Sequence, residues 1–304
     1  PISTAARTSG PTTWPKRYIT AASTVKPGAY EQLFINFAGM IPKSISIAFK
    51  YFIYLLRAKN RHGIHSPFVY EFVCNVLNDK TEYAEYKQVE KQRSLLLRNP
   101  NMVEIIDFGT GKGKAGYSTH LRKVKDIAAK SGIPVKYGRL LHRMVKYFKP
   151  KVLLEMGTSV GISSMYQVSA APNSTFLAME GCASTAEFAA TNLRILGASA
   201  VEFTMGNFDI VLPGLLKQTG VIDYAFIDGN HTKEGTLNYF HRLEKHAAND
   251  SVYIFHDIHW SSEMEEAWEE IKKHESVRLT IDLFFMGIVF FRRELGRQHF
   301  IIRF

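Results

Sequence analysis

From residue 151 onward the chain alternates between short apolar runs and longer amphipathic ones, an order few folds accommodate. The apolar runs cover residues 152–156, 175–179, 201–205, 222–227 and 251–255. Helical spacing fills the intervals at 162–170, 183–196, 210–217 and 233–246, and a further helix is predicted at 263–273. Strands buried on both faces read as continuous apolar runs, and strand–helix–strand order builds a parallel sheet with right-handed crossovers. Two closing runs, 277–283 and 286–292, lie too close together for a crossover and predict an antiparallel hairpin. The expected class is therefore α/β: a doubly wound, Rossmann-like sheet, mostly parallel with a C-terminal antiparallel hairpin, plus an N-terminal helical cap.

Upstream of Pro150 the pattern changes. Helices are predicted at 45–56, 68–77, 83–97, 121–130 and 137–148, with one strand at 103–108. That strand runs into Gly109-Thr110-Gly111-Lys112-Gly113-Lys114, which lacks the Gly-Lys-Ser/Thr ending of a phosphate loop and reads as a lid or connector. Three regions result: a disordered tail or non-native extension at 1–39, a basic helical cap at 40–149, and a ligand-binding domain at 150–304. Residues 1–150 carry 25 Lys/Arg against 9 Asp/Glu (+16), and residues 151–304 carry 13 against 19 (−6). Such asymmetry suits a solvated basic surface, nucleic acid, an anionic lipid face or an acidic partner. Pro42, Lys43 and Lys50 interrupt the apolar stretch 33–56, so no membrane span is expected; peripheral contact by 45–56 stays open. Two cysteines, Cys74 and Cys182, without zinc-type spacing, point to a reducing cytoplasm.

In a doubly wound sheet ligands sit beyond the carboxyl ends of the strands. The first run ends in Glu155-Met156-Gly157-Thr158-Ser159-Val160-Gly161, a glycine turn that lets backbone approach a ligand. The second ends on Glu180, one βαβ unit later, where a carboxylate takes ribose hydroxyls. The third offers Asn207 for a base edge and Phe208 to cover a ring. The fourth ends in Asp228-Gly229-Asn230-His231 and the fifth in His256-Asp257-Ile258-His259-Trp260. Five successive strands thus finish on polar groups, which core packing does not require. Asp228, His256 and Asp257 form a candidate set for a divalent cation (Mg²⁺, Mn²⁺ or Zn²⁺), and His231 is a candidate general base.

Residues 150–293 resemble a class I S-adenosylmethionine-dependent methyltransferase, through Leu-Glu-x-Gly-Thr-x-x-Gly, the acid ending the second strand and the closing hairpin. The Ile-Asp-Gly-x-His and His-Asp strand ends are similar to those of a group related to the metal-dependent catechol and caffeoyl-CoA O-methyltransferases. The resemblance puts Asp228 at the metal aspartate, His231 where that family carries a catalytic lysine, and His256-Asp257 on its Asp-Asn pair. Segments 62–68, Ile258-His259-Trp260-Ser261 and Ile281-Asp282-Leu283-Phe284 resemble an uncharacterised methyltransferase group of Bacteroidetes-type bacteria. The resemblance implies S-adenosylmethionine held by Glu155, Gly157, Thr158, Gly161, Glu180, Asn207, Phe208 and Asp228, with His231 and Asp228 catalytic. It implies a small-molecule acceptor, an oxygen nucleophile being the expectation. A nucleic-acid methyltransferase using the basic half is an alternative, although no Asn-Pro-Pro-Tyr-type motif is present. A non-catalytic scaffold that binds the cofactor is another. A nicotinamide dehydrogenase is disfavoured, because Gly-x-Gly-x-x-Gly is absent from the first strand end.

Overall fold

The computed structural model describes residues 43–107, 118–198 and 200–304. The chain divides into two compact units, residues 1–49 and 50–304. Of the first, only the opening turns of helix α1 (Lys43–Arg57) are described. The expected tail at 1–39 and the Gly109–Gly113 loop with Lys112 and Lys114 lie outside the described residues.

The second unit is built on an eight-stranded sheet. Its strands are β3 (Val152–Met156), β4 (Thr175–Glu180), β5 (Val201–Met205), β6 (Tyr224–Ile227), β7 (Val252–His256), β8 (Leu279–Asp282), β9 (Met286–Phe290) and β10 (Gln298–Ile301). They lie in the order β10-β8-β9-β7-β6-β3-β4-β5, and β9 alone of the eight runs antiparallel to its neighbours. The strands from β3 to β7 are parallel, as their apolar runs predict, and β8 and β9 form the closing hairpin. β10 was not predicted: Gln298-His299-Phe300-Ile301 is short and only half apolar, and parallel pairing to β8 is what makes it a strand.

Alternate residues of each strand feed two apolar layers, as strand geometry requires. On one face Leu153, Phe226, Ile254 and Ile288 pack with helices α2 (Pro67–Phe72), α3 (Ala84–Leu96), α4 (Val124–Lys130), α5 (Val135–Phe148) and α6 (Ile162–Ala170). On the other, Leu154, Ala225, Tyr253 and Val289 pack with α8 (Phe208–Gln218), α9 (Lys233–Leu243) and α10 (Ser262–Lys273). Helix α7 (Ala183–Ile195) connects β4 to β5 and contributes Leu193 to the first layer. Packing therefore draws no boundary at Pro150, since helices from 67 to 148 share one core with the sheet.

Two local expectations change. The helix predicted at 121–130 begins at Val124, and Leu121-Arg122-Lys123 belong to strand β2 (Ser118–Lys123), paired antiparallel with β1 (Met102–Asp107). The six residues of β2 are mostly polar, so no buried face marks them as a strand. The helix predicted at 68–77 is α-helical to Phe72 and then a π-helix over Val73–Leu77. Among the described residues no helix is long and apolar enough to cross a membrane.

Candidate active site

The site forms where β3, β4, β6 and β7 end side by side. Gly157 follows β3 at φ 93°, and a Cβ there would overlap the carbonyl oxygen of Asp228 at the end of β6. Only glycine permits this approach. The turn is pinned by Gly157 N–H and Thr158 N–H, both donating to Met179 O of β4 at 2.9 and 3.2 Å. Thr158 is buried and its Oγ1 donates to the same carbonyl at 3.3 Å. Ser159 is left-handed at φ 51°, which aims its N–H at Glu180 Oε2, 2.6 Å away. Gly161, also at positive φ, starts α6.

Glu180 is half-buried at the tip of β4. Its other oxygen, Oε1, accepts from Cys182 N–H at 3.0 Å. Burial raises its pKa, outweighing the backbone donors from Cys182 and Ser159 that favour the anion. Glu155 occupies a different place. It is fully buried, bonded by Ser164 Oγ and by Gln167 Nε2 at 3.0 Å, and burial pushes its carboxyl up to about 7. Its partners are side chains of α6, beneath the turn.

Asn207 caps α8, its Oδ1 accepting from Asp209 N–H at 2.9 Å. The ring of Phe208 lies against Gly229, beside Asp228, and makes an edge contact with Tyr239 at 6.1 Å. Four titratable groups meet at the ends of β6 and β7. Asp228 Oδ1 lies 3.0 Å from His256 Nδ1 and 3.4 Å from His231 Nε2, and Asp257 Oδ2 lies 3.7 Å from His256 Nδ1. Burial works to raise the Asp228 pKa, but the charges of His256 and His231 prevail and hold it below the usual carboxylate range. Burial likewise opposes the charge on His256, yet Asp228 and Asp257 push it up to about 9. At neutral pH the pair is His256 imidazolium and Asp228 carboxylate, so His256 is no base there. Asn230 and Asp257 both adopt left-handed backbone, at φ 60° and 56°. Non-glycine residues held in this region cluster at functional sites.

Among the described residues no three His, Cys, Asp or Glu side chains gather as ligands for a metal ion. Asp228, His256 and Asp257 are engaged with one another, at 3.0 Å and 3.7 Å from His256 Nδ1. A neighbouring network escaped the sequence reading. His259 Nδ1 and Nε2 lie 3.0 Å from Glu265 and 2.8 Å from Asp282, and Lys50 Nζ lies 2.7 Å from Glu265. Burial disfavours the charge on His259, but its hydrogen bonds to Asp282 and Glu265 push it up to about 9. Asp282 lies in the Ile281–Phe284 segment, whose lone acid among apolar neighbours was the available signal.

Residues 154–258 match the family model of a methyltransferase domain. No curated protein matches the chain. Among solved structures, the S-adenosylhomocysteine-bound methyltransferase PaMTH1 of Podospora anserina superposes with a TM-score of 0.51 at 12% identity, covering 75% of this chain and 99% of that one. An O-methyltransferase from Bacillus cereus has a TM-score of 0.47 at 17% identity, covering 73% of this chain and 97% of its own. The O-methyltransferase TomG of Streptomyces achromogenes has a TM-score of 0.45 at 22% identity, covering 52% and 81%. The sheet order fits the fold of the Podospora anserina methyltransferase, and residues 154–258 of this chain match a methyltransferase domain. Its glycine turn, strand-end acid and Asp-Gly-Asn-His loop all fall within the matched residues.

Proposed function

We propose that this protein transfers the methyl group of S-adenosylmethionine to an oxygen nucleophile on a small molecule. The carrying observation is Glu180, a carboxylate at the second parallel strand end that faces the Gly157–Gly161 turn through Ser159 N–H. In this reading Glu180 takes the ribose hydroxyls, the turn at Gly157 and Thr158 receives the amino-acid tail, and Asn207 and Phe208 flank the adenine. Gly161, left-handed at the start of α6, lets the turn lie close against Ala189 of α7. Glu155 acts from below, its bonds to Ser164 and Gln167 fixing the turn to α6. The cofactor supplies an electrophilic methyl on a sulfonium. The protein must align an acceptor oxygen with it and remove the hydroxyl proton.

His231 receives that proton, with Asp228 stabilising the resulting imidazolium. His256, already charged, holds Asp228 in place and as the anion. The unpaired Cys74 and Cys182 suit a reducing cytoplasm.

The test is calorimetric titration of S-adenosylmethionine into the wild type and Glu180→Ala, each with and without Mg²⁺. Affinity should fall at least tenfold in the variant, about 1.4 kcal/mol, and should not respond to the metal. Equal affinity of the two proteins would remove Glu180 and the reading built on it.

A further inference from the structure

A second recess lies at the outer end of the same sheet edge. β8 and β10 are parallel to each other and antiparallel to β9, as is β7, so the carboxyl ends of all three face one way. Beyond β10, residues Asn60, Arg61, Val73, Asn78, Lys80, Ile302 and Arg303 line a cleft of about 440 Å³. Three of the seven are cations and none is an acid. Among the described residues no carboxylate forms an ion pair with Lys80 or Arg303. Lys80 and Arg303 therefore bring two positive charges to a cleft that chain folding builds from three separate segments.

The cleft is braced by backbone hydrogen bonds and by one buried tyrosine. Lys59 N–H donates to Ile301 O at 2.8 Å and Arg303 N–H donates to Lys59 O at 3.0 Å, so the segments carrying Arg61 and Arg303 run side by side. Tyr54 Oη donates to Ile302 O and accepts from Phe304 N–H at 3.3 Å. The opposite wall is the end of the π-helix Val73–Leu77, where Asn78 N–H reaches back five residues to Val73 O at 2.9 Å. Asn78 and Lys80 follow directly on this wider turn. Such turns recur at functional sites. Arg61 heads the segment running to Phe68 that the proposed methyl transfer leaves unexplained.

Guanidinium groups offer paired donors to the oxygens of a phosphate, and an ammonium adds a point charge. The Asn78 amide adds a neutral donor. The volume exceeds one phosphate group and leaves room for a small organic body. We infer that this cleft binds a phosphorylated small molecule, at a site separate from the methyl-transfer centre.

Calorimetry of the full chain at low ionic strength, with pyrophosphate as probe and no S-adenosylmethionine, tests the inference. Pyrophosphate should bind, and Lys80→Ala and Arg303→Ala should each weaken it at least fivefold. Lys217→Ala, an exposed lysine on α8, should leave it unchanged. Malonate, a dianion without phosphorus, should bind at least tenfold more weakly. Far-ultraviolet circular dichroism of each variant identifies any that misfolds, and Arg303→Lys, which retains the charge, should recover part of the affinity. Absence of pyrophosphate binding, equal binding by folded Arg303→Ala, or equal binding of malonate would each overturn the inference. Because the cofactor is left out, failure here leaves the Glu180 reading untouched, and the reverse holds.

Discussion

Asp228 is the residue on which the site's electrostatics converge. Its carboxylate faces two imidazoles, and the strongly coupled partner is His256, not the proposed base. The folded pKa of His256, about 9, lies above its ordinary 6.5, so its contribution to stability is complete below pH 6.5 and is lost as pH rises through 9. Asp228 is shifted downward, so its own contribution is present at neutral pH and disappears only in acid. Replacing Asp228 by Asn should therefore destabilise the protein by about 3 kcal/mol at pH 7, the scale of a broken buried pair. The gap between variant and wild type should narrow towards pH 10. Urea denaturation across that range measures it, and a gap that stayed constant would contradict the assignment. His259 titrates in the same window and persists in both proteins, so it cancels in the difference. His231→Ala should lower turnover on an acceptor found by screening about a hundredfold or more, with S-adenosylmethionine affinity retained. Full activity would remove His231 from the mechanism.

The elements show why some structure was legible in the sequence and some was not. β3, β4, β6 and β7 are buried on both faces, which forces continuous apolar composition and makes them readable to within two residues. β2 and β10 are short, polar or mixed strands defined by their partners, and carry little such signal. The site followed the same logic. Residue types at strand ends were visible, but Glu155 could not be told from a ligand-facing acid until Ser164 and Gln167 were seen to enclose it. The turn after β3 offers a matched test. Gly157 and Gly197 both have positive φ, 93° and 78°, but a Cβ at Gly197 would meet nothing within 4 Å. Gly197→Ala should cost about 1 kcal/mol for backbone conformation alone. Gly157→Ala adds a collision with Asp228 O and should cost on the order of 3 kcal/mol or more, with cofactor binding weakened as well. Equal denaturation midpoints for the two variants would show that the close approach does not matter.

At the scale of the whole molecule, the decisive fact is that one face of the sheet is covered by helices encoded before its first strand. Leu153, Phe226, Ile254 and Ile288 are buried together with Phe72, Val89 and Leu140. A fragment spanning 150–304 would leave that face exposed, and such surface drives aggregation. It should be insoluble or bind a hydrophobic dye with little near-ultraviolet dichroism, whereas the intact chain should do neither. A fragment that melted cooperatively would argue for a separable domain. The order of synthesis gives this arrangement a further meaning. The helices that leave the ribosome first have nothing to cover until the strands from 152 to 290 have followed. A nascent chain of this kind carries bare apolar surface through much of its translation. Its yield in a cell should therefore depend on the factors that shield such surface more than on the stability of the finished fold.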